Sequence, residues 1–295
     1  MRARLCCPAM LPDRLIGVLL LVPGDPLRPR RPDPHFADEA RAFGSFHVLG
    51  AIPAGATGPA VYRGWMMPAA QYAVLHGELA ARGIALTTSP AQYRRAHELP
   101  GWYPSLVDVT PRTVWTVGAT RDAFDAACAA LGPGPAVLRD YSKSMKHYWH
   151  EACYLPDASD GERAWAVATR FLQLREDDFT GGFVLRAFES FAPGEVRTWW
   201  RGGRCVLVGP HPDNPHPDNP DPDGPAVPPP SDVDFLAPLV GSFPFVTVDL
   251  ARRTDGEWRV VELGDGQVSD RPRRLPVEEF VQRLWDRHTA SRPDD

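Results

Sequence analysis

The stretch Arg259–Asp270, RVVELGDGQVSD, decides how this chain is read. A strand-like run of valines stops on Glu262, and two glycines then crowd in with Asp265 and Gln267. The answer lies one strand upstream, in FVTVDLARRTDGEW (245–258). Asp255-Gly256 is the dipeptide most favoured in a two-residue type I′ hairpin turn. With the turn there, Asp249 and Glu262 stand equidistant from it and face each other across two strands. Their Cβ atoms then lie roughly 5 Å apart on one face, where two like charges repel. A cation resolves that repulsion, and Mg²⁺ takes one or two carboxylates and fills its octahedron with water and phosphate oxygens. A metal-nucleotide site follows; the competing reading is a surface turn whose acids point into solvent.

Outward from this hairpin, basic residues occupy telling places. Arg139 ends the strand PAVLRDY, and Lys143 and Lys146 follow in YSKSMKH. Arg186 lies inside FVLRAF and Arg197 inside GEVRTWW. A cation in an apolar strand must snorkel or meet an anion. Taken singly each fits a surface ion pair; taken with the acidic hairpin they fit a polyphosphate.

Alternation of strand and helix organises the first hundred residues. Strand 15–22, helix 33–43, strands 46–50 and 60–64, helix 68–82 and strand 84–88 imply a partly parallel α/β sheet. Prolines and aromatics in HELPGWYPSLVDVTPRT mark a boundary near residue 110. Beyond it come helix 121–131, strand 135–141 and helix 161–175. Strands GFVLRAFESF, EVRTWW, CVLVG, PFVTVDL and WRVVELG follow, with a Gly202-Gly203 hairpin, and then a helix in PVEEFVQRLWDRHTA. The second part therefore reads as α+β with an antiparallel sheet. Residues 209–232 repeat His-Pro-Asp-Asn-Pro; their prolines forbid sheet and helix, so His211 and His216 are assigned to a solvated loop.

Composition narrows the class. With 43% hydrophobic and 10% aromatic residues, the 295-residue chain buries a sizeable core. A net charge of −5, with acids and bases interspersed, suggests no nucleic-acid or anionic-membrane partner. Five cysteines without CxxC spacing fit a reducing, cytoplasmic setting and argue against structural zinc. The apolar run LIGVLLLV is too short for a membrane helix and, interrupted upstream by Asp13 and Arg14, reads as a buried strand.

Together, PAVLRDYSKSMKHYWHEACY, GGFVLRAFESFAPGEVRTWWRGGR and PFVTVDLARRTDGEWRVVELGDGQVS resemble an ATP-grasp domain, and more narrowly family 3 of the clade named for two arginines and a lysine (R2K). LLVPGDPLRPRRPDPHFADEA and VYRGWM are similar to the pre-ATP-grasp domain of such proteins. The resemblance implies a Rossmann-like α/β domain over 1–110, an ATP-grasp domain over 111–290 and a tail at 291–295. It implies ATP and Mg²⁺ as ligands, Asp249 and Glu262 as metal ligands, Lys143 as the clade lysine, and Arg186 and Arg197 as its arginines. Arg197 and Lys143 take the catalytic roles, Arg139 and Lys146 add phosphate contacts, and Ala187, Phe188 and Glu189 match the adenine-binding linker. Such domains carry an Asn two residues after the metal-ligand Glu; here Gly264 stands there, and Asp265 or Gln267 is the expected substitute. The implied activity is carboxylate–amine or carboxylate–thiol ligation through an acyl phosphate, on small-molecule or peptide substrates. A kinase and a non-catalytic nucleotide-binding module are the alternatives. Asp25, Arg63 and Trp65 are the candidates for seating the second substrate. Oligomeric state is not legible.

Overall fold

A computed structural model of the chain describes residues 18–20, 57–63, 66–212, 214, 230–270, 275, 279, 280 and 283. The helix expected over 33–43, the strand over 46–50, Asp25, Trp65 and the side chain of Arg63 lie outside the described residues. So does most of the expected C-terminal helix, of which residues 279, 280 and 283 are helical.

At the N-terminal side, β1 (Val18–Leu20), β2 (Gly58–Arg63) and β3 (Ile84–Leu86) form a parallel sheet in that order. Helix α1 (Ala69–Ala81) links β2 to β3 and buries Tyr72, Leu75 and Leu79, which stand at helical spacing. On this side the described residues thus form a small parallel α/β unit.

Two helices follow, the second inside the stretch read as a proline-rich break. Helix α2 (Pro90–His97) starts with Ser89 accepting from Gln92 N, while the Gln92 side chain accepts from Ser89 N. That capping box, with Pro90 at the first position, was a visible start signal. Helix α3 (Leu99–Leu106) tolerates Pro100 near its start and holds Pro104 in its body, because Leu99, Trp102, Tyr103 and Leu106 are all buried. Burial of such aromatic and aliphatic side chains, each worth roughly 1.5–3 kcal/mol, overrides the local cost of a proline.

Two four-stranded sheets make up the rest. The first has β4 (Thr113–Trp115), β7 (Phe183–Ala187), β5 (Ala136–Asp140) and β6 (Tyr154–Leu155), in that spatial order and antiparallel. Helices α4 (Arg121–Leu131) and α5 (Gly161–Arg175) cover it through Phe124, Phe171, Phe183 and Leu185. The second has β11 (Trp258–Asp265), β10 (Phe245–Arg253), β8 (Phe191–Arg201) and β9 (Arg204–Pro210), also antiparallel. One of its faces packs Val246, Val248, Leu250 and Leu263 against Leu99, Trp102 and Leu106, so this core runs across residue 110. The other face packs Trp199 and Phe245 against Val61 and Phe280 at one end and is open at the other. Helix α6 (Ala237–Val240) closes the segment before β10.

The single strand read in GFVLRAFESF is two. It stops after Ala187 and resumes at Phe191, and the three residues between carry the chain from one sheet to the other. Gly202 and Gly203 turn the next hairpin with φ of 53° and 80°, as type I′ geometry requires.

The decisive hairpin reaches its expected pairing by an unexpected route. The turn has three residues, Thr254–Gly256, with Gly256 N donating to Arg253 O and Gly256 at φ 97°. This is a type I turn closed by a left-handed glycine, not a two-residue type I′ turn. It sets Arg252 opposite Trp258 and Leu250 opposite Val260, one residue off the expected register. A β-bulge at Val261 then adds the missing residue, and Asp249 faces Glu262 after all.

Candidate active site between the two sheets

The open face of the second sheet and the edge of the first enclose a cleft of about 560 Å³. Arg139, Lys143, Lys146, Arg186, Ala187, Phe188, Glu189, Arg197, Asp249 and Glu262 all line it. Of the residues expected to hold nucleotide or metal, Asp265 and its alternative Gln267 do not line it.

One row of side chains crosses three strands, because Arg197 pairs with Asp249 and Asp249 with Glu262. Arg197 donates from Nε to Asp249 Oδ1 at 2.7 Å and from Nη2 to Oδ2 at 2.8 Å. Burial pushes the Asp249 carboxyl up, but Arg197 and the adjacent His211 hold it down to about 2. Arg139, from the first sheet, donates to Glu262 Oε1 at 3.3 Å. Burial raises that carboxyl also, and Arg139 with Lys143 brings it below the ordinary range.

Two further residues join this row. His211 Nε2 accepts from Arg197 Nη2 at 2.6 Å and lies 3.4 Å from Asp249 Oδ2. Assigned to a solvated loop from sequence, His211 is instead 8% exposed, because its N–H bonds Glu195 O and prolongs the β8–β9 pairing by one residue. Glu195 stands two residues before Arg197 on the same strand face. Donor atoms of Glu195, His211 and Asp249 lie within 4.8 Å of one another, and burial raises the Glu195 carboxyl. The period-2 rule applied from Arg197 would have found Glu195.

Arg186 is, with Arg139, one of two buried cations of the first sheet, each at 6% exposure. It donates to Val261 O at 2.6 Å and to Thr110 Oγ1 at 2.7 Å. The bulge that restores the hairpin register thus places the carbonyl that orients this arginine. Burial, and then the like charge of Arg139, lower its pKa to about 9. Its Nε has no hydrogen-bond partner, and among the described residues no carboxylate pairs with it. A buried guanidinium satisfied only by neutral groups, beside a second one, is a seat for an anion.

The lysine loop is shaped by Asp140, which is fully buried. Its Oδ1 accepts from Ser142 N, Ser142 Oγ and Lys143 N, and its Oδ2 from Arg175 Nε and Thr180 N. This turn presents Lys143 and Lys146 at the cleft without a glycine-rich loop; both are exposed.

At the opposite end, Ala187 N and Phe188 N are committed to Arg112 O and Pro135 O at 2.8 and 3.0 Å. The Glu189 carboxylate accepts from Arg259 Nε and Nη2, each at 3.0 Å. Neither of those two N–H groups is left for a base. An aromatic wall stands beside the linker instead: Trp149 stacks on Tyr154 at 5.3 Å, and Phe188 meets Tyr154 edge-on at 5.5 Å.

Asp265 and Gln267 do not take the place of an Asn at Gly264. Asp265 is an odd number of residues from Glu262 along β11, so it points to the opposite face, and it is wholly buried. Its Oδ1 accepts from Gln267 N. The Gln267 amide faces the N-terminal unit, accepting from Tyr62 N and donating to Tyr72 Oη, both at 2.9 Å. The groups nearest a Cβ built on Gly264 are the hydroxyls of Thr247 and Ser269, at 3.5 and 3.8 Å.

The family model described as ATP-grasp domain, R2K clade family 3, matches residues 130–284. Among solved structures, the chain is similar to a RimK domain protein ATP-grasp from Sphaerobacter thermophilus DSM 20745, at 19% identity and a TM-score of 0.47, over 70% of this chain and 72% of that one. It is similar to N5-carboxyaminoimidazole synthetase from Staphylococcus aureus at 10% identity and 0.48, over 74% of this chain and 56% of that one. It is also similar to the D-cycloserine synthetase DcsG at 15% identity and 0.48, over 74% and 78%. A comparison with curated proteins gives no match.

Proposed function

This chain belongs to the ATP-grasp domains, R2K clade family 3, and on that premise we propose that it is an ATP-dependent, ADP-forming ligase joining a carboxylate to an amine or thiol. The observation that supports this most is Arg186, buried without a carboxylate beside Arg139 in the same cleft as two facing acids. Arg139, Arg186 and Lys146 would hold the polyphosphate, while Lys143 and Arg197 would neutralise the phosphoryl group in transfer. Asp249 and Glu262 fit Mg²⁺, being hard oxygen donors in register on neighbouring strands. Bound there, the ion would offset negative charge on the phosphates, which is most of what catalysis of phosphoryl transfer requires. Trp149 and Phe188 would flank the base.

In the first step a substrate carboxylate oxygen attacks the γ-phosphorus, the bond to the β-phosphate oxygen breaks, and ADP leaves. In the second, an amine or thiol attacks the acyl carbon, phosphate leaves, and the nucleophile gives up a proton. The second substrate would enter where Met66, His97, Thr247 and Ser269 line the cleft. Substrates would be small molecules or peptides, with a pre-ATP-grasp domain over 1–110 helping to seat them and the enzyme working in the cytosol. No helix among the described residues is long and apolar enough to cross a membrane. Screening acids and amines for stimulated ADP release tests the assignment. Release needing both supports a ligase, and release needing the acid alone makes the protein a kinase. Calorimetry at millimolar concentrations, which registers binding of about −4 kcal/mol, should show heat with Mg-ATP, and none would end the reading.

A further inference from the structure

Each carboxylate assigned to the cation is already held by an arginine assigned to the phosphates. Arg197 clamps both oxygens of Asp249 at 2.7 and 2.8 Å, and Arg139 reaches Glu262 at 3.3 Å. The side chains of Arg197, Asp249 and Arg139 are 14%, 6% and 7% exposed, so whichever partner is pulled away leaves a charge that water reaches poorly. We propose that these two ion pairs form a partner-exchange latch, which makes the cleft take nucleotide and divalent cation together and resist either one alone. This rests on the Mg-ATP reading above.

A polyphosphate arriving alone must draw Arg197 and Arg139 toward itself. It then strands Asp249 and Glu262, which face each other across β10 and β11, next to its own negative charge. A cation arriving alone strands Arg197 and Arg139 instead, the latter beside a third buried guanidinium, Arg186. When both arrive, each arginine passes from carboxylate to phosphate and each carboxylate from arginine to cation, and no buried charge is left without a partner. The coupling is reciprocal by linkage. The Arg197–Asp249 pair should carry most of it, because it has two short bonds between two buried side chains, whereas Glu262 makes one long bond and is 44% exposed.

The test is calorimetric titration of the full chain with Mg²⁺ alone, with a non-hydrolysable ATP analogue in chelator, and with the analogue plus Mg²⁺. Wild type is compared with Asp249→Asn, and with Glu262→Gln should the first variant fold poorly. In the wild type, Mg²⁺ should tighten the analogue by about tenfold or more, within the roughly 5–150-fold range of site couplings, and the analogue should tighten Mg²⁺ by the same factor. In Asp249→Asn, Arg197 is released, so the analogue in chelator should bind more tightly than to wild type and gain nothing from Mg²⁺. Glu262→Gln should move in the same direction by less. Metal-free binding in the wild type as tight as with Mg²⁺, or metal-free binding weakened by Asp249→Asn, would overturn the latch while leaving the nucleotide reading standing. No binding in any arm would remove both.

Discussion

Arg186 keeps its charge inside β7 by donating to Val261 O and Thr110 Oγ1, neutral groups that do not offset the loss of water. Replacing a buried ion pair by apolar side chains of similar volume is often neutral or stabilising, and Arg186 has not even a carboxylate to offset its burial. Arg186→Met should therefore melt within about 1 kcal/mol of wild type. It should also lose the stabilisation by Mg-ATP, about 2.7 kcal/mol at a hundred times Kd. Paired thermal melts check this, and a full wild-type ligand shift in the variant would remove Arg186 from the site. Asp249 behaves oppositely. Its folded pKa of about 2 lies below the ordinary 3.8. Its contribution, about 2 kcal/mol, is therefore complete above pH 4 and lost as pH falls toward 2. Asp249→Asn should flatten the acid limb of stability measured between pH 2 and 5. Two facing acids that only repelled each other would not matter for folding. With Arg197 clamped on it, Asp249 does, and its loss should cost roughly 3–5 kcal/mol because a buried guanidinium is left over. Glu262, partly exposed with one long bond, should tolerate Gln to within about 1 kcal/mol.

The β10–β11 hairpin shows how an element can reach the expected contact through two unexpected features. Alternation along VVELG and VTVDL put both acids on one face, and a DG dipeptide put a turn between them. That turn has one residue more than the two-residue form, and the bulge at Val261 supplies the compensating residue. Neither shows in the local residues, since a bulge is fixed by what lies beside the strand, here Arg186, Val109 and Thr110. Gly256→Ala should lower stability by about 1 kcal/mol in denaturant melts, because φ of 97° strains any side chain and a Cβ there meets only Arg252 Nη2, at 3.7 Å. The lysine loop is a second such case. Asp140→Asn should cost roughly 3 kcal/mol through the pair with Arg175 and should raise the Km for ATP as Lys143 loses its fixed turn. An unchanged Km at reduced stability would make Asp140 purely structural.

Across the whole molecule, the cleft exists because residues distant in sequence meet on it. One core joins Leu99, Trp102 and Leu106 to Val246 and Leu263, residues from both sides of position 110. Gln267 ties the end of the hairpin to Tyr62 and Tyr72 in the N-terminal unit, so the hairpin and that unit are expected to unfold together. A loop solvated over the whole of 209–232, as read from sequence, would be dispensable throughout. Gly209 and Pro210 belong to β9, and His211 and Asn214 bond Glu195, so only 215–229 can be spared. Replacing 215–229 with a short Gly-Ser linker should leave the melting temperature and nucleotide affinity unchanged, since loop length costs little entropy. Cutting back to 209 should lower both, by removing His211 from Arg197.

What the sequence determined by itself is what short-range periodicity records. It set the helices over 121–131 and 161–175, the antiparallel strands, the Gly202-Gly203 turn, and two acids on one hairpin with cations in flanking strands. What only the tertiary structure decided is who pairs with whom: Arg197 with Asp249, Arg139 with Glu262, Arg186 with a bulge carbonyl, and Asp265 turned away into the core. The reason is physical. Strand and helix periods are local properties of the backbone, whereas the partner of a buried charge is whatever the packed sheets bring within about 3 Å of it, and nothing in the neighbouring residues encodes that.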